Sequence, residues 1–205
     1  MAKIKLTKGE LKRQRDGLKQ FQRYLPTLQL KKQQLQLEIQ QQNIVLQEAK
    51  QLLAKKRQAI FSWAGLLVDS KAELKPFLKP VKTTTHLKNI AGVDIPVFDA
   101  LEFGQANYDL FIMPLWLDLA IVSLREELIL NQEILIRQEG VDILRHQLRI
   151  TTQRVNLFEK VKIPLAQENI RLIKIYIGDQ MANAVGRSKI AKRKIEELLL
   201  EEAMA

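Results

Sequence analysis

Apolar residues recur every seven positions along the first third of the chain, in two interleaved rows. The first row reads Leu11, Leu18, Leu25, Lys32, Ile39, Leu46, Leu53 and Ile60, and the second reads Gln14, Phe21, Leu28, Leu35, Gln42, Ala49, Lys56 and Trp63. Two such rows form a narrow seam on one side of a helix, which is the pattern of coiled coils. Neither proline nor glycine occurs between Pro26 and Gly65. The pattern therefore predicts one long helix, N-capped by Thr7 and kinked near Pro26.

A helix of about 50 residues is about 75 Å long at 1.5 Å per residue, and a thin apolar seam does not stabilise it alone in water. A partner helix is predicted from Pro114 onward, with Gly140 as a flexible point. Its rows read Ile134, Val141, Leu148 and Val155, and Leu144, Thr151 and Phe158. The next apolar residue of the row, Ile163, follows Val155 by eight positions, not seven, beside Pro164. The sequence predicts a kink and a slip in phase there.

The segment between the two helices has a different pattern. Residues 71–80 contain two prolines and predict an irregular turn or a short helix. Residues 81–103 are rich in Thr and Val around Gly92 and predict a β-hairpin with that glycine at its tip. Pro96 indicates an exposed edge. A single hairpin is not stable alone, so it must pack on the rest of the chain.

Together these elements predict a mainly α protein. Its fold is a long antiparallel two-helix coiled coil of N- and C-terminal helices, with a central insert of short helices and a β-hairpin. The expected boundaries are 1–70 for the first helix, 71–113 for the insert and 114–205 for the second helix, in one structural unit overall. Both termini would lie at one end of the helix pair, and the insert would lie at the other.

The positive charge is concentrated in the first helix. Residues 1–60 hold 14 of the 33 Lys and Arg residues and 4 of the 23 Asp and Glu residues, so the net charge of +10 lies there and the remainder is neutral. Such asymmetry favours an acidic protein surface, nucleic acid or anionic lipid as a partner, or else a solvated face of a long helix. The basic residues of this face are Lys12, Arg13, Arg15, Lys19, Arg23, Lys31 and Lys32.

Nucleic acid and membrane are the weaker of these partners. Few aromatic residues (Phe21 and Tyr24) accompany the basic residues, and no base-reading motif is present. The apolar seam is too narrow for a membrane surface, and no charge-free apolar run of about 18 residues exists. The first residues, MAKIKLTKGE, do not have the pattern of a secretory signal, and there are no cysteines.

No catalytic, cofactor or metal site is predicted. A Gly-rich phosphate loop is missing, and the two histidines, His86 and His146, have no neighbouring pattern of metal ligands. The glutamates of the second helix, Glu126, Glu127 and Glu133, fit a solvated helix face better than an acid–base pair.

Three sequence blocks resemble the D subunits of V-type and A-type rotary ATPases. Residues 11–35, LKRQRDGLKQFQRYLPTLQLKKQQL, resemble the family's N-terminal helix with its Leu-Lys-x-x-Arg-Asp-x-Leu pattern. Residues 92–98 resemble its Gly-Val-x-x-Pro hairpin. Arg154-Val155-Asn156, with Glu159 and Ile163-Pro164, is similar to an Arg-Val-Asn-Ala-Leu-Glu…Ile-Pro signature, except that Leu157-Phe158 replaces Ala-Leu. The blocks occur in the family's order and span most of the chain.

The resemblance implies a central-stalk rotor subunit, not itself an enzyme and without a cofactor. It would couple ATP synthesis or hydrolysis in the ring of A and B subunits to proton or sodium translocation through the membrane ring. The implied partners are the A and B subunits, the small F subunit and the C or d subunit that caps the rotor ring, with neither nucleic acid nor direct membrane insertion. The chain would be cytoplasmic and held at the membrane by the complex.

The candidate partner-contact residues are Lys12, Arg13, Arg15, Gly92, Val93, Pro96, Arg154, Asn156 and Pro164. The alternative interpretation is a basic coiled-coil protein that binds nucleic acid or acts as an adaptor. Salt-dependent retention on DNA or RNA, or a symmetric dimer, would distinguish it.

Overall fold

The computed structural model describes residues 4–67, 74–108 and 113–204. They form an antiparallel two-helix coiled coil, and a β-hairpin lies between the two helices in the sequence. The predicted fold class is confirmed. The elements are α1 (Lys8–Phe61), a 3₁₀ turn (Ala64–Leu67), α2 (Lys75–Leu78), β1 (Pro80–Ile90), β2 (Val93–Phe103), α3 (Leu117–Leu157), a π-helical turn (Phe158–Lys162) and α4 (Ile163–Met204). Residues 68–73, where the first helix was predicted to end and the insert to begin, lie outside the described residues.

Two compact units divide the chain. One, which we call the terminal unit, contains Met1–Gln29 and Gln153–Ala205. The other, the central unit, contains Leu30–Thr152.

The predicted apolar seam lies on the buried face of helix α1. Every position of the two rows is at least partly buried, and Leu35, Ile39, Leu46 and Leu53 are buried fully. At the start of the helix the Thr7 hydroxyl oxygen accepts a hydrogen bond from the Glu10 backbone N–H at 3.3 Å, as predicted for an N-cap. The helix passes through Pro26 without a break.

In the central unit, α1 and α3 run antiparallel. Near the end of α1, Lys56 pairs with Glu126 and Arg57 with Glu127, each at 2.6 Å. Asn43, which comes before them in α1, accepts a hydrogen bond at 3.2 Å from Arg145, which comes after those glutamates in α3. The helices of this unit bury two apolar clusters. One contains Leu46, Leu53 and Ile134, and the other contains Leu35, Ile39, Val93, Ile95 and Leu144.

The β-hairpin has the predicted extent and tip. Strands β1 and β2 pair antiparallel, with Ile90 opposite Val93 next to the turn. Both turn residues have positive φ, 51° at Ala91 and 72° at Gly92. This is the backbone of a two-residue turn that suits right-twisted strands, and glycine adopts it without steric cost. The Asn89 side chain supports the turn by accepting a hydrogen bond from the Gly92 N–H at 3.1 Å.

The hairpin lies along the helices, so its predicted place at the end of the helix pair was wrong. Val93 and Ile95 belong to the same buried cluster as Leu35 and Leu144, which lie well inside α1 and α3. The apolar contacts of Val93 and Ile95 with Leu35 and Leu144 are the physical reason. Gly140 of α3 lies beside β2, where an added Cβ atom would be in ordinary contact, 3.6 Å from the Pro96 carbonyl oxygen and 3.7 Å from the Ile95 Cβ. The flexibility expected of this glycine stays a prediction.

In the terminal unit, residues 8–29 of α1 pack antiparallel on the end of α3 and on α4. Phe21 and Phe158 lie with ring centroids 5.3 Å apart, and the Asn169 amide donates to the Gln14 amide oxygen at 3.4 Å. The buried row of this unit reads Val155, Ala166, Ile170 and Ile173.

The predicted slip in phase is a π-helical turn at Phe158–Lys162. The Ile163 N–H donates to the Phe158 carbonyl, five residues back, where an α-helix would bond four residues back. The turn therefore takes up the one extra residue between Val155 and Ile163.

Candidate functional site

The described residues offer surfaces for partners more clearly than a site for chemistry. Among them no group of three or more His, Cys, Asp or Glu side chains could hold a metal ion. The His86 ring meets the Asp99 carboxylate at 2.6 Å on the exposed hairpin, and Glu126 and Glu127 are used in ion pairs to α1. Within the described residues, no helix is long and apolar enough to cross a membrane.

The basic candidates Lys12, Arg13 and Arg15 are exposed on α1 in the terminal unit. Lys12 and Arg13 line a shallow cleft between α1 and α4, and Lys162 lines it on the side of α4. Asp16 also lines this cleft, so the surface is basic with an interspersed acid. It is accessible to an acidic partner.

The hairpin candidates differ in accessibility. Gly92 lies at the tip, Pro96 is half-buried, and Val93 is buried in the core of the central unit. A Cβ atom added at Gly92 would lie 3.5 Å from the Lys31 ammonium nitrogen. A partner can therefore meet Gly92 directly, whereas the Val93 side chain already contacts residues of its own chain.

The remaining candidates flank the buried row of the terminal unit. Val155 is buried, but its neighbours Arg154 and Asn156 are exposed, as is Pro164 beyond the π-helical turn. These side chains are accessible. Their contact with a partner, like that of the other candidates, stays a prediction.

Sequence reasoning missed the arginine that joins the insert to α3. The Arg125 guanidinium donates to the Phe77 carbonyl at 3.0 and 2.9 Å and to the Gly104 carbonyl at 2.8 Å. It also lies 5.0 Å from the centre of the Phe103 ring. The partners are backbone carbonyls distant in sequence, so no motif marks this arginine.

A second contact holds the same region. The Tyr108 hydroxyl donates to the Asp118 carboxylate, and this hydrogen bond raises the pKa of the tyrosine above its usual value. The Tyr108 ring meets Phe77 edge-to-face at 5.4 Å. The end of the insert is thus tied to the start of α3.

The central unit exposes many apolar side chains, among them two sets on or next to its long helices. The first turns of α3 expose Leu119 and Val122 after the exposed Leu115, and the end of α1 exposes Phe61. The outer face of α1 exposes a second row, which consists of Leu30, Leu37, Ile44, Val45 and Leu52. Groups of this kind mark protein–protein contact more often than isolated exposed side chains do.

Known proteins resemble the chain over nearly its full length. The sequence profile of the ATP synthase D-subunit family matches residues 10–193. The V-type ATP synthase D subunit of Borreliella burgdorferi is 45% identical over 198 residues, which cover 95% of this chain and 96% of the relative. The proteins of the same description from Chlamydia caviae and Chlamydia felis are each 32% identical over 201 residues, covering 96% of this chain and 95% of the relative. On these matches, the chain belongs to the ATP synthase D-subunit family.

Proposed function

We propose that the chain is the central rotor subunit of a V/A-type ATP synthase or ATPase. In this role it couples ATP synthesis or hydrolysis in a ring of A and B subunits to proton or sodium translocation through a membrane ring. The observation that carries the proposal is membership of the D-subunit family over residues 10–193. The chain itself performs no chemistry, and the coupling is mechanical. We infer that residues 1–70 and 114–205 serve as the shaft and residues 71–113 as its insert.

The asymmetry of the central unit suits such a role. The hairpin covers one side of the α1–α3 pair near Leu35 and Leu144, and another side of α1 carries exposed Leu37 and Ile44. A surrounding ring would therefore meet different surfaces at different angles. Rotation of an asymmetric element against packed neighbours is a means of switching them among discrete states.

The charge distribution supports a place for the N-terminal part of α1 inside the ring. We infer that exposed Lys12, Arg13 and Arg15 face acidic surfaces of the A and B subunits. Long-range attraction between such surfaces does not depend on one fixed pairing, so it holds the shaft without trapping it in one orientation.

The other partners are the small F subunit and the C or d subunit that caps the rotor ring. The exposed apolar group of Leu115, Leu119, Val122 and Phe61 supports a docking surface for the cap. The chain is then cytoplasmic and held at the membrane through the complex alone. Neither nucleic acid nor direct membrane insertion is part of the proposal.

Purification of the tagged chain from its native cells tests the proposal. We expect the A and B subunits and a small F-like subunit to accompany it, with ATPase activity in the complex. The triple variant Lys12→Glu, Arg13→Glu, Arg15→Glu should weaken assembly or coupled activity, and more so at low salt.

The matched control reverses three exposed lysines of the insert, Lys75, Lys79 and Lys82, to glutamate. It changes the net charge by the same amount away from the N-terminal part of α1. Equal effects of the two triple variants would contradict the location of the basic face in the ring. Recovery of nucleic acid, or of a homodimer alone, would contradict the rotor role itself.

A further inference from the structure

Helix α4 carries a second apolar row beside the row that it buries. The inner row, which is buried or half-buried at every position, reads Ile163, Ala166, Ile170, Ile173 and Ile177. The second row lies one residue earlier at each position and reads Lys162, Leu165, Asn169, Leu172 and Tyr176. Its Leu165, Leu172 and Tyr176 are 47%, 43% and 39% exposed. Rows that differ by one residue lie about 100° apart around a helix.

The second row continues the rows of α3 without any change of spacing. Val155 is followed at seven-residue intervals by Lys162, Asn169 and Tyr176, and Phe158 is followed by Leu165 and Leu172. The inner row is in phase with Val155 because the π-helical turn takes up one extra residue. If residues 158–162 formed regular α-helix, α4 would turn by about 100° and the second row would face α1. The helix therefore has two alternative apolar faces for the same partner.

An open cleft beside Ala166 provides room for the larger side chains of the second row. The cleft lies between α1 and α4 in the terminal unit, and Gly17, Phe21, Leu165 and Ala166 are among the residues that line it. Glycine has no side chain and alanine has a small one, so the helices leave space between them at this level. In the turned helix Leu165 would take the place of Ala166 and fill part of this space.

Two polar residues favour the observed arrangement over the turned one. Asn169 is 6% exposed, and its amide donates to the Gln14 amide oxygen at 3.4 Å. In the turned helix Asn169 would take the place of Ile170, and Lys162 would take the place of Ile163. An amide and an ammonium group are costly to bury where an isoleucine is not. The burial of the two isoleucines therefore offsets the irregular hydrogen bonding of the π-helical turn.

We propose that α4 has a second, less populated state in which residues 158–162 are α-helical and the second row packs on α1. The inference goes beyond the proposed function and does not depend on it, because it concerns contacts within one compact unit of one chain. The change alters which side chains of α4 face outward while the helix stays formed. A partner that binds one of the two outward faces more tightly would shift the balance between the states.

Cysteine reactivity tests the proposal, since the chain has no cysteine of its own. The releasing variant, Lys162→Leu, Asn169→Leu, removes the two polar residues that disfavour the second state. Ala166→Cys reports on the inner row, because position 166 is 4% exposed and would move to the exposed place of Gln167. Glu168→Cys reports the reverse, because this exposed position would move to the buried place of Asn169. Each cysteine is introduced singly into the full-length chain, with and without the releasing substitutions.

In the releasing variant we expect the thiol at position 166 to react with a soluble disulfide reagent at least about tenfold faster than it does without those substitutions. The thiol at position 168 should react more slowly. Amide hydrogen exchange over residues 163–173 should not speed up, because the helix stays formed. Asn169→Leu alone should give a smaller change in the same direction. The matched control, Lys174→Leu, Asn183→Leu, makes the same two changes at exposed positions of α4 and should leave both reaction rates unchanged.

Unchanged reactivity at position 166 in the releasing variant would overturn the inference. So would a faster reaction at both positions, or faster amide exchange over residues 163–173, because these results indicate local unfolding and not rotation of an intact helix. An equal response of the control variant would also contradict it. The test is made on the isolated chain, so failure of the rotor proposal leaves its result unaffected.

Discussion

The side chains in the seven-residue pattern of α1 are buried to different depths in the two compact units. In the central unit the seam buries Leu35, Ile39, Leu46 and Leu53, but residues 8–29 contain no fully buried side chain. The four buried residues meet large aliphatic side chains, and the hairpin adds a third layer over part of the seam. In the terminal unit the opposing residues include the small Ala166 and the polar Asn169 beside the aliphatic Val155, Ile170 and Ile173, and the described residues of this unit include no strand. The periodicity thus determines which residues face inward, and the opposing side chains determine how deeply they are buried.

The largest expected effect tests this difference in depth. Leu144 is 0% exposed between α1 and the hairpin, and Leu144→Ala should lower the free energy of unfolding by about 3 kcal/mol, because it leaves a cavity in a three-layer core. Ile173 is equally buried in the terminal unit, and Ile173→Ala should cost less, about 2 kcal/mol, because two layers collapse more easily around the gap. Urea unfolding followed by circular dichroism measures both.

Leu135→Ala is the control for this pair, and as an exposed position it should change stability by no more than about 0.5 kcal/mol. If Ile173→Ala cost as much as Leu144→Ala, the third layer would have no part in the difference between the units.

A somewhat smaller effect is expected where the hairpin meets α3. Gly140→Leu should destabilise the chain by about 2 kcal/mol, because the added side chain has to displace β2 from its contact at Pro96 and Ile95. Gly140→Ala should be neutral or stabilising, since its Cβ makes only ordinary contacts and alanine favours a helix. Hydrogen exchange of Val93–Phe103 should speed up in the leucine variant alone. Equal exchange in both variants would show that Gly140 does not position the hairpin.

The hydrogen bonds from Arg125 to the base of the insert should contribute about 1.5 kcal/mol to the free energy of unfolding. Arg125→Met removes the donors to the Phe77 and Gly104 carbonyls while keeping an aliphatic stem, and hydrogen bonds to charged groups are worth about 1.5–3 kcal/mol before exposure reduces them. The matched control on the same helix is Arg137→Met, which loses an i,i+4 pair with Glu133 worth at most about 0.5 kcal/mol. Thermal unfolding compares the two, and a larger loss for Arg137→Met would refute the assignment.

The smallest effect concerns an exposed pair of the terminal unit. The Arg171 guanidinium donates to the Glu168 carboxylate and lowers its pKa below the usual 4.5. A lowered folded-state pKa means that the pair stabilises the fold above the unfolded pKa and that this stability is lost as pH falls through the folded value. NMR titration should give a midpoint for Glu168 below 4.5, which Arg171→Gln returns toward that value. Overall stability should not change detectably near neutral pH, because both groups are exposed.

The sequence was sufficient to predict the elements that depend on local pattern. The seam of α1, the hairpin around Gly92 and the slip before Pro164 all follow from spacing and backbone preference, and all are present. The position of the hairpin was not predictable, because Val93 meets Leu35 and Leu144 across long stretches of chain. The sequence does not distinguish a glycine that makes a helix flexible from one that lies against a strand, as Gly140 does.

The candidate site was less predictable than the fold. Positive charge marked the face of Lys12, Arg13 and Arg15 in the sequence alone. Arg125 bonds to backbone carbonyls, which have no sequence signature. The exposed row of Leu30, Leu37, Ile44, Val45 and Leu52 consists of ordinary aliphatic residues, and only the exposure of its side chains in the structure distinguishes it from a second buried row.

The π-helical turn at Phe158–Lys162 gives the described helices a place where the chain can lose a residue without rotating the apolar row away from its partner. Elsewhere in the helices, deleting a single residue rotates everything beyond it by about 100° and moves the apolar row away from its partner. A deletion within 158–162 would convert the turn to ordinary α-helix and leave the buried rows on both sides facing the same way. Among relatives of this chain, single-residue gaps in the helices should therefore collect at this turn.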